Sequence, residues 1–261
     1  MRFISLLTDF GDKDNFAGVM KGVILKINPQ AKIVDLSHNV TPQNIFEAAF
    51  LLQSSFKYFP KDTIHLVVVD PGVGSKRRKL LVKTKDYYFV APDNGVLSPA
   101  LKGEGPKKIV EITNDRYFLK PVSDTFHGRD VFAPIAAHLS LGERIGAFGR
   151  RVETIKHLAL PLARRLKNKL IGKIVYVDHF GNLVTNITRA DFADFIKDCR
   201  FKIHIANYQI NKISRSYEEG EKGRPSAIFD SFDNLEIFLG QASAKERLFP
   251  NTDISVEVLK Y

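Results

Sequence analysis

The stretch that decides the fold is "FISLLTDFGDKDNFAGVMKGVILKINPQAKIVDLSH", which runs from Phe3 to His38. It contains two short apolar runs, "FISLLTDF" and "AKIVDLSH", separated by a segment whose apolar residues recur at helical spacing. Short apolar runs with turn residues behind them are typical of buried strands. The intervening segment predicts a helix that begins near Asp14 and is closed by Pro29. The stretch therefore predicts a strand–helix–strand unit.

The same alternation continues to residue 70. Thr41 and Pro42 predict the start of a second helix, with Thr41 as the N-cap and the proline at the first helical position. A third apolar run, "TIHLVVVD", then ends at Asp70. Strands alternating with helices indicate an α/β domain with a mostly parallel central sheet. We assign this domain to residues 1–157.

Three later segments belong to the same predicted domain. "LLVKTKDYYFVAPDNGVLS" predicts two strands around a turn at Thr84 to Tyr87, and "KIVEIT" predicts another strand. Asp130 to Leu141 predicts a helix that tolerates Pro134 in its first turn.

The composition changes near Leu158. "LALPLARRLKNKLIGK" is strongly basic and contains a proline, so residues 158–172 are interpreted as a linker. Residues 173–261 contain several short strand patterns and little helix, for example "KIVYVDHF" and "ISVEVLK". This part predicts a smaller all-β domain, either a sandwich or a barrel.

Composition limits the classes of protein that fit. The 261 residues are 44% hydrophobic, which suffices for a sizeable core, and the net charge is +10. That charge fits an anionic partner or simply a basic surface. Cys199 is the single cysteine, so no internal disulfide can form, which favours a reducing cytoplasm. With no apolar run approaching about 20 residues, we expect a cytoplasmic protein without a membrane span.

Three acids follow the first predicted strand. Asp9 lies at its end, and Asp12 and Asp14 lie in the loop that leads to the helix. Ligands of open α/β sheets bind beyond the carboxyl ends of the strands, so these acids suggest a cation or a diol as ligand. The alternative is structural, with Asp14 as a helix cap and Asp12 as a turn former. The spacing alone favours neither.

Asp70 ends another strand and is followed by "PGVGSKRR". The basic run is either a solvated turn or part of a site. Later in the chain, "DTFHGRD" places His127 on a turn before a helix. If Asp70, Arg77 and His127 meet, an acid, a permanent cation and an imidazole can position and polarise a water molecule.

"VDHFGNLVTNI" lies in the second domain and predicts a turn. Phe180 and Asn182 offer a stacking face and an amide, which suit a heterocyclic base, although a hairpin with a core phenylalanine is the alternative. Two other site classes are weakly supported. The histidines have no close paired spacing for a metal, and no G-x-S-x-G of a serine hydrolase occurs.

Five segments in this order resemble one family: "LLTDFGDKDNFAGVMKG", "VVVDPGVGSKRR", "VAPDNGVLS", "TFHGRDVFAPIAAHL" and "VDHFGNLVTNI". They are similar to the S-adenosyl-L-methionine (SAM) hydroxide adenosyltransferases, over nearly the whole chain. The resemblance implies an enzyme, a SAM hydrolase that splits SAM into adenosine and methionine by attack of water or hydroxide. It also implies an N-terminal α/β domain, a barrel-like C-terminal domain, and a homotrimer with active sites between subunits. No cofactor and no metal are expected.

The resemblance also implies roles for particular residues. Asp70, Arg77 and His127 would handle the water, and Asp9 would hold the ribose hydroxyls. The remaining substrate contacts would be Asp14 and Asp178 at the methionine ammonium, Phe180 and Asn182 at adenine, Ser231 at the methionine carboxylate, and Glu236 near adenine.

Two positions depart from the family's Asn-Ser-x-Gly-x-Leu-Glu-Ile segment. Asp230 stands where the family has asparagine, and Asp233 stands where it has glycine. Extra negative charge there is unfavourable for a methionine carboxylate.

Two alternatives remain open. Halide transfer is disfavoured because the related fluorinating enzyme resembles this chain but has tyrosine at the position of Asp70, and a carboxylate beside a halide is repulsive. A non-enzymatic module that binds nucleosides or nucleic acid through the basic linker is the other, although the chain has no aromatic-rich RNA motif and no zinc-finger spacing.

Overall fold

The computed structural model describes residues 2–248 and 254–261, and the chain divides into two compact units that meet in sequence between Ala159 and Leu160. The first unit contains, in chain order, β1 (Phe3–Thr8), α1 (Phe16–Ile27), β2 (Lys32–Ser37), α2 (Ile45–Ser55), β3 (Ile64–Val68), β4 (Lys79–Lys83), β5 (Tyr88–Pro92), α3 (Ser98–Glu104), β6 (Lys108–Ile112), α4 (Ala133–Ser140) and β7 (Gly149–Arg151).

The first unit is a sheet covered by helices on both faces. The strand order is β2-β1-β3-β5-β4-β6-β7, with parallel pairing from β2 to β5 and antiparallel pairing beyond. Alternate residues of β1 point to opposite faces, so Ile4 and Leu6 pack with α1 and α4, while Leu7 packs with α2. Burial on both faces explains why β1 and β3 are mostly apolar.

Pairing of the two central strands positions the site. Thr8 at the end of β1 lies opposite Val68 at the end of β3. Asp9 and Asp70, which follow these two ends, therefore emerge at the same edge of the sheet.

Two predicted helix starts differ from the structure. The N-cap of α2 is Asn44, whose side chain accepts a hydrogen bond from Glu47 N, so the prediction of Thr41 is wrong. Gln43 has φ of 65°, a left-handed conformation that a helix beginning at Pro42 cannot contain. Asp130, the predicted start of the later helix, lies inside a five-residue π-helical turn, Gly128–Phe132, and the α-helix α4 begins only after this turn.

The second unit is an antiparallel, nearly closed barrel. It contains β8 (Arg164–Arg165), β9 (Lys169–Val177), β10 (Leu183–Thr188), α5 (Arg189–Ile196), β11 (Phe201–Ile205), β12 (Tyr208–Ile210), β13 (Pro225–Phe229), β14 (Asn234–Leu239), α6 (Ala244–Leu248) and β15 (Ser255–Lys260). The order is β12-β11-β15-β9-β10-β14-β13, with β8 paired to β9. Just after β12 in the chain, Ser214 N donates to Ala227 O of β13 at 2.7 Å. This hydrogen bond links the two ends of the sheet.

The predicted fold class is confirmed by these two sheets. Helix α5 was not predicted, although Thr188 and Asp191 form a capping box at its start. The segment 158–172, interpreted as a linker, contains β8 and the beginning of β9. The predicted boundaries 1–157 and 173–261 stay a prediction.

Candidate active site

A loop after β3 brings Arg77 back onto Asp70. Val73 N donates to Asp70 O and Ser75 N donates to Gly72 O, both at 3.1 Å, so two successive tight turns reverse the chain. Arg77 Nε then donates to Asp70 Oδ1 at 2.6 Å, and Arg77 Nη2 donates to Asp70 Oδ2. The two side chains are 8% and 5% exposed, which makes this a buried, bidentate ion pair.

His127 completes the cluster. Arg77 Nη2 also lies 2.9 Å from His127 Nδ1. Because a guanidinium can only donate, Nδ1 must be the acceptor, and the proton of the neutral ring is assigned to Nε2. The structure thus brings together the acid, the cation and the imidazole that the sequence suggested.

The π-helical turn packs against the Asp70–Arg77–His127 cluster. His127 immediately precedes the turn, and the fully buried Phe132 lies within it. The guanidinium carbon of Arg77 lies 5.5 Å from the centre of the Phe132 ring. Arg77 Nη1 is buried and finds no acceptor in residues 2–248 or 254–261. It is a spare donor beside a site that holds an acid and an imidazole.

The surroundings of His127 favour its neutral form. Burial is the largest effect that lowers the pKa of His127, followed by the charges of Arg77 and Lys79, while Asp70 and Asp124 oppose them. A neutral imidazole at physiological pH can serve as a hydrogen-bond donor through Nε2.

A cavity of about 350 Å³ opens beside these residues and is lined by Asp9, Asp70 and His127. Three aromatic rings, not singled out from the sequence, form part of its wall: Phe10, Phe16 and Phe126. Their ring centres lie 5.3–5.8 Å apart. Their spacing in "DFGDKDNF" and their adjacency to Asp9 and His127 were the available signals.

The other acids of the first loop differ in position. Asp9 Oδ2 accepts from Gln43 N at 2.8 Å at the cavity. Asp12 accepts from Asn39 Nδ2 at 2.6 Å. Asp14 is exposed just before α1 and is not among the residues that line the cavity.

In the second unit, the turn after β9 holds Asp178 and Asn182 together. Asp178 Oδ1 accepts from Asn182 N at 2.8 Å, and Oδ2 accepts from Asn182 Nδ2 at 2.9 Å. Gly181 has φ of +82°, and a Cβ there would collide with Ser243, so the turn requires glycine. Phe180 is 74% exposed, which rules out the alternative of a core phenylalanine and leaves most of its ring accessible for stacking.

Ser231 and Glu236 belong to the β13–β14 region. Ser231 is exposed on the turn between the strands. Glu236 is 3% exposed on β14 and accepts from Tyr217 Oη at 3.0 Å. Its burial, together with Asp178 and Asp230, raises the pKa of Glu236 to about 7.

Comparison with known proteins agrees with this geometry. Models of the SAM hydroxide adenosyltransferase N-terminal and C-terminal domains match residues 4–149 and 172–256. The chain belongs to the SAM hydroxide adenosyltransferase family. It is 35% identical to an (R)-S-adenosyl-L-methionine hydrolase of Methanocaldococcus jannaschii, over 92% of this chain and 90% of the relative. It is 33% identical to an (R)-S-adenosyl-L-methionine hydrolase of Thermus thermophilus, over 99% of this chain and 100% of the relative.

The chain is also similar to a more distant relative and to a solved structure. A fluorinase of an Actinoplanes species is 27% identical, over 72% of each chain. The crystal structure of an uncharacterised conserved protein from Thermotoga maritima has a TM-score of 0.91 at 36% identity, covering 98% of this chain and 100% of that one.

Local geometry accounts for the two departures from the adenosyltransferase segment. Asp230 Oδ1 accepts from Phe232 N and Asn234 N, so it makes the turn contacts that an asparagine oxygen also makes. Asp233 has φ of 63°, where the family has glycine, and Oδ1 accepts from Arg189 Nε at 2.6 Å. The charge of Asp233 is therefore paired.

The described part of this adenosyltransferase family member has neither a metal-binding cluster nor a membrane-spanning helix. In residues 2–248 and 254–261, no group of three or more His, Cys, Asp or Glu side chains is arranged to hold a metal ion. Within the same ranges, no helix has the length and apolarity needed to cross a membrane.

Proposed function

We propose that this chain hydrolyses SAM to adenosine and L-methionine. The observation that carries the proposal is the buried Asp70–Arg77–His127 cluster beside a cavity at the carboxyl edge of the sheet. Family membership supports it, because relatives that match at 33% and 35% identity are named (R)-S-adenosyl-L-methionine hydrolase.

The chemistry needs little help at the leaving group. An oxygen nucleophile forms a bond to the ribose C5′ while the C5′–S bond breaks. The electron pair of the C5′–S bond stays on sulfur, so the sulfonium becomes a neutral thioether. The reaction instead requires a nucleophile that is held in line with the C5′–S bond and is partly desolvated. The buried charge of Arg77 favours hydroxide over water as the nucleophile. His127 Nε2–H donates a hydrogen bond to the oxygen of this nucleophile. Asp70 fixes the guanidinium and keeps lone pairs that can orient a water proton.

The remaining substrate contacts follow the family resemblance. Asp9 holds the ribose hydroxyls at the cavity, while Asp14 and Asp178 face the methionine ammonium. The other three contacts are Phe180 and Asn182 with adenine and Ser231 with the methionine carboxylate. We place Glu236 close to adenine. No cofactor takes part in this scheme.

The two sets of contacts lie on different compact units, which fits the further proposal of a homotrimer whose sites are shared between neighbouring subunits. Light scattering tests it, because the trimer has three times the 29.5 kDa chain mass. A monomer that is fully active would contradict it.

The direct test is incubation with SAM, followed by chromatography for adenosine and methionine. In H₂¹⁸O, the label is expected in the 5′-hydroxyl of adenosine, because the nucleophile attacks C5′. Asp70→Ala should form almost no adenosine. Asp115→Ala, which changes an exposed acid of the same unit, should behave like the unmodified chain. If the unmodified chain forms no more adenosine than Asp70→Ala does, the proposal is wrong. If a 5′-halogenated adenosine forms when chloride or fluoride is added, the activity is halide transfer.

The neutral state of His127 predicts a pH dependence of kcat. Because the folded-state pKa of His127 is lowered, kcat should stay constant above pH ~6.5 and fall only when the ring is protonated at lower pH. Lys79→Met removes one of the charges that lower this pKa, so the acid limb should move to higher pH. Lys76→Met alters an exposed lysine of the same loop and serves as the control. An acid limb that is identical in all three proteins would contradict this role of Lys79.

A further inference from the structure

Strand register in the second unit places one row of side chains across the outer face of the barrel. The row contains Tyr176 of β9, Val184 of β10, Glu236 of β14 and Ile228 of β13. The neighbouring residues Leu183 and Ile237 point the other way, into the core. Glu236 therefore lies on the same outward face as Asp178, which follows Tyr176 by two residues.

The segment that contains Tyr217 covers this carboxyl. Tyr217 Oη donates to Glu236 Oε1 at 3.0 Å, and its ring packs edge-on against Phe238 with 5.0 Å between ring centres. Gly220 packs so closely on Phe238 that a Cβ would lie 2.6 Å from its ring. Glu236 is consequently buried, while Tyr217 remains half exposed.

Within the described residues, the groups that shift the pKa of Glu236 are acidic or neutral: Tyr217, Asp178 and Asp230. Val184 and Ile228 flank it on β10 and β13 and do not titrate. Burial is the main cause that raises the pKa of Glu236 to about 7, and Asp178 and Asp230 raise it further, while the Tyr217 hydrogen bond opposes them. Glu236 is thus neutral below pH ~7 and ionised above it. Its charge changes within the physiological range, on the face that carries Asp178 and Asn182.

We propose that Tyr217 and Glu236 set the affinity of this face for the cationic substrate, with the ionised Glu236 strengthening the binding of SAM. This inference rests on the proposed function. SAM carries a sulfonium and an ammonium, whereas neither product carries a sulfonium. An additional carboxylate favours the substrate over its products, and a bound cation in turn favours release of the proton from Glu236. Tyr217 is a positioning residue, since it acts through Glu236.

The test is the pH dependence of KM and kcat for SAM between pH 6.5 and 8.5. In the unmodified chain, KM should fall by about two- to fourfold across this window as Glu236 ionises, because a carboxyl with a pKa of about 7 is already partly ionised at pH 6.5. The kcat should change little, because the pKa of His127 lies below this window.

Two variants distinguish an effect of Tyr217 and Glu236 on SAM affinity from a purely structural role of these residues. Glu236→Gln should give a KM that is independent of pH and equal to the high value of the unmodified chain at low pH. Tyr217→Phe removes the hydrogen bond that lowers the pKa of Glu236, so the fall in KM should shift to higher pH. Tyr208→Phe, a tyrosine of β12 in the same unit, is the matched control and should reproduce the unmodified profile.

The outcomes are distinct. A KM profile in Glu236→Gln that matches the unmodified chain, or variants that change kcat and not KM, overturns the inference while hydrolysis stands. Absence of adenosine at every pH overturns the proposed function together with the inference that rests on it.

Discussion

Arg77→Met is expected to lower kcat for SAM hydrolysis by about 10²–10³-fold, the effect typical of removing one preorganised donor from an active site. Arg77 donates to both Asp70 and His127, so the variant removes the positive charge and also releases the imidazole. The measurement is adenosine formation at saturating SAM.

The same variant should be less stable. Asp70 and Arg77 are nearly inaccessible to solvent, and breaking a buried ion pair from one side costs roughly 3–5 kcal/mol, because the remaining charge is left uncompensated. A thermal melt measures this loss. The double variant Asp70→Asn/Arg77→Met removes both charges and should regain much of the stability without regaining activity. That separation distinguishes a catalytic role from a structural one.

Arg78→Met is the matched control. Arg78 is the next residue and also pairs with a buried acid, since its Nε donates to Asp93 Oδ2 at 2.7 Å. The variant should lose stability and keep kcat within a few-fold. If both arginine variants reduce kcat equally, Arg77 supports the fold and has no special part in the chemistry.

The sequence predicted the parts of the molecule that depend on local patterns. Alternating apolar runs and helical spacing gave the α/β unit, and two acids at strand ends gave the edge where the cavity lies. Residue chemistry suggested Asp70, Arg77 and His127 as a possible set, and the resemblance to one family assigned them to the handling of water. Their hydrogen bonds follow from the reversal of the 71–78 loop, which no periodicity encodes.

What the sequence did not predict depends on contacts between distant residues. Tyr217 and Glu236 are 19 positions apart and meet because a turn folds over the barrel face. The π-helical turn was not predicted either, and it holds Phe132 against the guanidinium of Arg77, which is distant in sequence. Gln43 blocks the predicted helix start through its left-handed backbone, which residue type does not require.

Gly74→Ala is expected to lower kcat by about 10²-fold, although Gly74 makes no contact with substrate in the proposed mechanism. Gly74 has φ of +77°, and a Cβ there would lie 2.5 Å from the backbone oxygen of Asp124. The two loops that carry Arg77 and His127 therefore touch at this glycine. A methyl group must push them apart, and displacement of a catalytic group by about 1 Å is enough for a loss of this size.

Gly72→Ala tests whether the cause is this close approach or any added methyl group in the loop. A Cβ at Gly72 would meet its nearest neighbours at 3.4–3.7 Å, which is ordinary contact, and its φ is not positive. This variant should keep kcat within a few-fold. Gly74→Ala should also be less stable by about 1–2 kcal/mol, the cost of a left-handed alanine. If Gly74→Ala kept full kcat, the 2.9 Å contact between Arg77 and His127 would not be needed for the reaction. A large loss in Gly74→Ala alone would show that the Pro-Gly-x-Gly turn serves catalysis by setting the distance between two loops.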